Sequence, residues 1–164
     1  MKTILLLTSI LASLGWGSAA TAQEMVFVIR HGEKEAEGDD PPLTAAGRRR
    51  AEAWADLLKT SGIDIVLHTD AARSRETGEI IAASLDMERT EVPMTDTAGL
   101  MDLLVFDHAE DTVLVIAHTE TIPGILFQLG VETPPDVKDD DFANLFLVAP
   151  VGDGAPVFVV LRMP

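Results

Sequence analysis

The stretch Thr112-Val-Leu-Val-Ile-Ala117 constrains this chain more than any other. An apolar run this short, bounded by polar residues, suits a strand buried on both faces, and such strands belong to parallel sheets covered by helices. Met25 to Ile29 repeats the pattern. Ile63 to Leu67 reads as another strand, and a weaker one is expected near Glu91 to Pro93. Helical stretches separate them. Leu43, Gly47, Ala51, Trp54 and Leu58 recur at helical spacing behind Thr44, which can cap the helix, and Gly62 is a plausible stop. A second helix is expected from about Ala72 to Leu85 and a third between about Thr97 and His108. A fourth starts near Pro123, where a missing N–H does no harm, reaches Leu129 and closes at Gly130. Asn144 to Val148 and Val157 to Leu161 are joined without a helix, so they should form a hairpin and at least one antiparallel edge strand. The expected fold is a single-domain α/β three-layer sandwich around a mostly parallel sheet.

The first residues are set apart. Lys2, the apolar stretch Ile4 to Leu14 and the small residues Ala20-Thr21-Ala22 read as a signal peptide over residues 1–22, leaving a domain over 23–164. The apolar stretch falls short of the roughly 20 residues that span a bilayer. The mature chain is therefore expected to be exported, to a periplasm or outside the cell, with no stable membrane association once cleaved near Ala22. The absence of cysteine excludes disulfides, so stability rests on an ordinary core. A net charge of −15 repels nucleic acid and anionic membrane surfaces at long range. A monomer is expected. An anionic substrate would have to be held by a local group of arginines.

Such a group is legible. In open sheets ligands sit beyond the carboxyl ends of the strands. Three predicted strands end there in polar residues: Arg30-His31-Gly32, His68-Thr69-Asp70 followed by Arg73, and His118-Thr119-Glu120. Arg30 and Arg73 offer forked donors that keep their charge, suited to phosphoryl oxygens. His31 among cations would stay neutral and keep a ring nitrogen able to attack phosphorus. His118 precedes a helix whose first amides also favour an anion. Phosphoryl transfer to histidine needs positioning and charge stabilisation, with no metal or other cofactor.

Other polar residues read more plainly. His68 and His108 have no flanking motif that forces a catalytic role. Arg75 should form a surface ion pair, Arg48 to Arg50 a solvated helix face, and Asp139 to Asp141 a solvated acidic run. His31-x-Glu33 and His118-x-Glu120 form two His-x-Glu pairs that could ligate a divalent metal, as a metal-dependent hydrolase would require. Arg30 and Arg73 would repel that ion.

The motifs together resemble the histidine phosphatase superfamily, with its phosphoglycerate-mutase-like fold. Arg30-His31-Gly32 is similar to the family's opening motif and Pro42-Leu43-Thr44-Ala45-Ala46-Gly47 to its helix start. Thr69 to Thr77 is similar to the segment carrying the second arginine, and Val113 to Pro123 to the strand bearing the second histidine. The resemblance covers most of the region after residue 22. It implies a phosphatase in which His31 is transiently phosphorylated while Arg30, Arg73 and His118 bind the phosphoryl group of a phosphorylated small molecule or phosphoprotein. Family members with a dedicated proton donor place a glutamate before the central helix or an aspartate after the second histidine; Thr119 stands at the latter place here. Glu33, Glu120 and Asp102 are the local carboxyl candidates, with Glu120 taken as the acid. Without a donor, the chain would be a phosphate-binding member that turns over weakly or not at all. Its small size resembles minimal members such as phosphohistidine phosphatases and small exported phosphatases.

Overall fold

A computed structural model describes residues 25–151 and 154–163. The expected signal peptide over 1–22 lies outside the described residues. Six strands form one sheet: β1 (Met25–Arg30), β2 (Ile65–Thr69), β3 (Glu88–Val92), β4 (Thr112–Ala117), β5 (Asn144–Val151) and β6 (Gly154–Arg162), in the order β3-β2-β4-β1-β5-β6. The pairs β3–β2, β2–β4 and β4–β1 are parallel, while β1–β5 and β5–β6 are antiparallel. The expected mixed sheet with an antiparallel edge is what forms.

The helices are α1 (Ala45–Leu58), α2 (Ala72–Leu85), α3 (Thr97–Asp102) and α4 (Ile122–Gln128), with a wider π-helical turn, Leu103–Asp107, continuing α3. Strand periodicity sends alternate residues to opposite faces. Phe27, Ile29, Leu114 and Ile116 pack with Ala51, Trp54 and Leu58 of α1 and Ile81 of α2. Val26, Val28, Val113 and Val115 pack on the other face with Leu100, Leu104, Ile122, Ile125 and Leu126. Every residue of β4 is buried, which explains its unbroken apolar character. No described helix is long and apolar enough to cross a membrane.

Three local readings need correction. The second strand runs Ile65–Thr69 rather than Ile63 to Leu67, so His68 and Thr69 lie within it instead of in the following turn. Ile63 is buried ahead of the ladder, and the Asp64 and Thr112 hydrogen bonds close the sheet's start there. The edge strand is Glu88–Val92, displaced from Glu91 to Pro93, because the turn at Asp86 (φ 56°) ends α2 and Glu88 pairs at once with Ile65. The third helix is not uniformly α: His108 N donates to Leu103 O at 2.9 Å, one residue farther back than an α-helix requires. That slack lets the His108 ring meet Asp111 at 2.8 Å, a structural contact far from the rim residues.

Glycines set the approach of α1 to the rim. A Cβ at Gly32 would lie 2.7 Å from Gly47 O, and one at Gly47 would collide with the Glu33 backbone. Thr44 accepts from Gly47 N at 3.0 Å, starting α1 directly beneath the loop that follows β1. That loop folds back on itself: Thr44 N donates to Glu33 O and Glu35 N to Pro42 O.

Candidate active site

The carboxyl ends of β1, β2 and β4 deliver His31, Thr69 and His118 to one crevice, and His31 N donates to Ala117 O at 3.1 Å. The imidazole centroids of His31 and His118 lie 5.1 Å apart. Arg73, from the first turn of α2, reaches both. Its Nε donates to His31 Nε2 at 3.2 Å and its Nη2 to His118 Nδ1 at 3.4 Å.

These contacts assign the tautomers, because arginine can only donate. His31 Nε2 accepts, so the ring proton sits on Nδ1 and is donated to Gly32 O at 2.7 Å. His118 Nδ1 accepts, so its Nε2–H is donated to Thr69 Oγ1 at 2.7 Å. Burial pushes the His31 pKa down to about 3; its bond to Gly32 opposes the shift, and His118, Arg30 and Arg73 add to it. Burial and the two arginine charges push His118 down to about 4. Both rings are neutral near pH 7, and His31 Nε2 keeps a lone pair, the condition for a nitrogen nucleophile.

Arg30 is buried, with 7 % of its surface exposed. Its Nη1 donates to the carbonyls of Lys138 (3.1 Å) and Asp139 (2.6 Å), and its guanidinium lies 4.0 Å from the centre of the Phe142 ring. Its Nε is buried with no hydrogen-bond partner, a state that costs about 1–3 kcal/mol until an acceptor is supplied. Burial lowers the Arg30 pKa; Asp139 and Glu120 counter this with their charge.

A network behind the crevice fixes these side chains. Thr77 Oγ1 accepts from Gly32 N at 3.1 Å and donates to Arg73 O at 2.7 Å. Ser74 Oγ, fully buried, accepts from Thr69 N and donates to Ile116 O. The first amide of α2, Ala72 N, has no local side-chain cap; Asp40, from the loop after β1, accepts it at 2.9 Å and lies 3.7 Å from Arg73 Nη1. Sequence reading missed Asp40 and Phe142. Each works through a contact remote in sequence, and no local pattern marks it.

The carboxyl candidates separate clearly. Glu33 receives both Arg50 Nε and Nη2, so Arg50 is not part of a purely solvated face. Burial, the largest single influence, would raise the Glu33 pKa, but the Arg50 hydrogen bonds, the backbone hydrogen bond and the charges of Arg50 and Arg30 together hold the carboxyl below its usual range. Glu33 is a poor acid and is turned away from a metal-ligating role beside His31. Asp102 is exposed on α3 and does not line the crevice. Glu120 is exposed and lines it together with Arg73 and His118. Among the described residues, no group of three His, Asp or Glu side chains is spaced to hold a metal ion. His68 is structural: its Nδ1 bonds Thr69 O, Arg89 Nη1 donates to its Nε2 at 2.9 Å, and its ring fills the space beside Gly78. Arg75 pairs with Glu91 at the surface as expected. Asp141 departs from the expected solvated run: it is half-buried and accepts from Arg162, Asn144 Nδ2 and Ala143 N, which fixes the start of β5.

The fold has close counterparts. The protein histidine phosphatase SixA complexed with tungstate superposes with a TM-score of 0.68 at 22 % identity, over 84 % of this chain and 96 % of that one. A mycobacterial glucosyl-3-phosphoglycerate phosphatase complexed with VO3 gives 0.64 at 14 % identity, over 84 % and 97 %. At such identities the likeness concerns the fold. In sequence, the probable phosphoglycerate mutase GpmB of Proteus mirabilis is 41 % identical over 64 residues, which is 35 % of this chain and 30 % of that protein. The chain thus aligns with less than a third of this curated relative. The family pattern of the histidine phosphatase superfamily (branch 1) matches residues 26–104, including Arg30, His31 and Arg73 and stopping short of His118. Motif order and that match agree: over residues 26–104 the chain carries the pattern of the histidine phosphatase superfamily (branch 1).

Proposed function

We propose that this protein is a metal-independent phosphatase hydrolysing a phosphomonoester or phosphoramidate through a phosphohistidine on His31. One observation carries the reading: a single guanidinium, Arg73, presents adjacent donors to the acceptor nitrogens of two neutral, buried imidazoles. A phosphoryl group entering between them meets Arg73 and the unpaired Arg30 Nε on its oxygens, with His31 Nε2 facing phosphorus. His118, whose Nδ1 accepts in the empty site, donates to an oxygen once the anion's charge draws a proton onto that nitrogen. Nε2 attacks in line; the P–N bond to His31 forms as the bond to the leaving group breaks. The leaving group takes a proton from Glu120 or from water. Water then attacks phosphorus, the P–N bond breaks and inorganic phosphate departs. Arg73, and His118 when protonated on Nδ1, stabilise the equatorial oxygens in both halves.

Export through residues 1–22, a monomeric state and a phosphorylated small molecule or phosphoprotein as substrate belong to the same proposal. They rest on the N-terminal pattern, the strongly acidic surface and the small size of the domain. An inert phosphate-binding relative is the rival, favoured by the threonine at position 119.

para-Nitrophenyl phosphate tests the matter, because its leaving group needs little protonation. The chain from Gln23 onward should hydrolyse it, and His31→Ala should abolish turnover with the fold retained. Acid-labile, alkali-stable phosphoenzyme should be trapped in the parent alone. Undiminished turnover in His31→Ala would overturn the nucleophile; binding of vanadate without any turnover would favour the inert binder.

A further inference from the structure

The walls around the phosphoryl position bear on which leaving group the site accepts. The open cleft is lined by Arg73 and His118 together with Met94, Thr95, Thr97, Glu120 and Thr121. Beyond Arg73, then, the cleft walls carry no cation, and their one charge is the Glu120 carboxylate. Lys138, exposed on the Arg30 side, does not line this cleft, and acidic side chains flank the site. Asp40 lies 3.7 Å from Arg73 Nη1, Asp70 acts electrostatically on His118, and Asp139 on Arg30. Arg48, Arg50, Arg75, Arg89 and Arg162 are paired with Glu76, Glu33, Glu91, Glu79 and Asp141. The whole chain adds a net charge of −15.

Two arginines suffice for one phosphoryl group, and the cleft walls offer nothing for a second anion. We propose that the site selects substrates whose leaving group is positively charged, tolerates neutral ones and rejects anionic ones, with Glu120 receiving the cation. This rests on the phosphatase reading and goes further by fixing the charge class of the substrate. A leaving group carrying a carboxylate would meet Glu120 and the acidic surroundings with no counter-ion. A unit charge about 6 Å from another is worth about threefold in affinity even in water, and more where the cleft partly excludes it.

Three phosphomonoesters of alkyl alcohols separate charge from leaving-group chemistry: phosphocholine (cationic), glycerol phosphate (neutral) and phosphoglycerate (anionic). Each is assayed for kcat/KM and, so that the ordering is readable without turnover, for inhibition of para-nitrophenyl phosphate hydrolysis. Phosphocholine should exceed glycerol phosphate by about threefold or more, and phosphoglycerate should fall about tenfold or more below phosphocholine. Glu120→Gln should narrow the cationic-to-neutral ratio toward unity. Thr95→Lys, which adds a cation to the cleft lining and leaves Glu120 in place, should raise phosphoglycerate relative to phosphocholine. A general loss of rate across all three esters in Glu120→Gln, with their ratios unchanged, would assign Glu120 to proton transfer alone and overturn the proposal. So would phosphoglycerate matching phosphocholine in the parent, or ratios insensitive to Thr95→Lys. Failure of para-nitrophenyl phosphate hydrolysis would instead strike the phosphatase reading itself.

Discussion

Acidification should destabilise this protein through its site, by an amount the structure sets. His31 and His118 titrate near 6.5 when unfolded and are pushed down to about 3 and about 4 in the fold. The folded pKa is below the unfolded one for both. Their stabilising contribution is therefore complete above pH 6.5 and is lost progressively as pH falls toward about 3, because the unfolded chain takes up protons that the native site refuses. Between pH 7 and pH 5 each ring then removes about 2 kcal/mol, or about 4 kcal/mol for the pair, a large share of a typical domain's stability. Carboxylates titrate mostly below this window, and relief of the acidic chain's self-repulsion acts in the opposite direction. A variant isolates the histidine contribution from both. His31→Asn keeps a donor for Gly32 O but has nothing to protonate, so it should lose about 2 kcal/mol less than the parent between pH 7 and pH 5. Urea unfolding at several pH values in phosphate-free buffer reads the difference directly; phosphate is excluded because binding to the native state would mask it. Parallel stability curves for parent and His31→Asn would refute the burial argument.

Further outcomes follow from the contacts around the crevice. Gly47→Ala should cost at least about 1–3 kcal/mol in thermal or urea unfolding, and should lower turnover, because its Cβ displaces the Glu33 backbone beside His31. Thr69→Val keeps the shape but leaves His118 Nε2–H without its acceptor; vanadate affinity should fall while stability changes by about 1 kcal/mol, and unchanged affinity would remove Thr69 from the site. Arg50→Met strips Glu33 of its donors and should destabilise by about 1–3 kcal/mol, with the Glu33 carboxyl rising toward its ordinary range in an NMR titration. Phe142→Ala removes the ring lying over the Arg30 guanidinium and should raise KM for para-nitrophenyl phosphate more than it lowers kcat.

What the sequence made legible was governed by local pattern. β4 and α2 were expected over the same residues that they occupy, because an apolar run and a helical stretch between turn residues each state their own limits. His31, Arg73 and His118 were legible because strand ends in such sheets share a rim, and the structure brings all three within hydrogen-bonding reach. β2 was misplaced because His68 and Thr69 are polar yet buried or half-buried, their hydrogen-bonding groups met by Arg89, Ser74 and His118. The π-helical turn was hidden since one residue of slack leaves no compositional mark. Arg50 looked like a wet-face residue, and only the folded loop reveals Glu33 as its partner. Asp40 and Phe142 belong to the same class, speaking only through partners far along the chain.

Asp40 has a consequence for how such a protein can change. One carboxylate from the arch after β1 begins α2 and steadies the Arg73 guanidinium, which the proposed function assigns to the phosphoryl group, so lengthening that arch should loosen that hold. Residues 93–97 meet that arginine only through the weak acceptor Met94 Sδ, 3.6 Å from its Nη2, and place no cap on α2. New chemistry is therefore most readily acquired there, by insertion or by substitution at the tip, while the opposite shore of the crevice stays as it is.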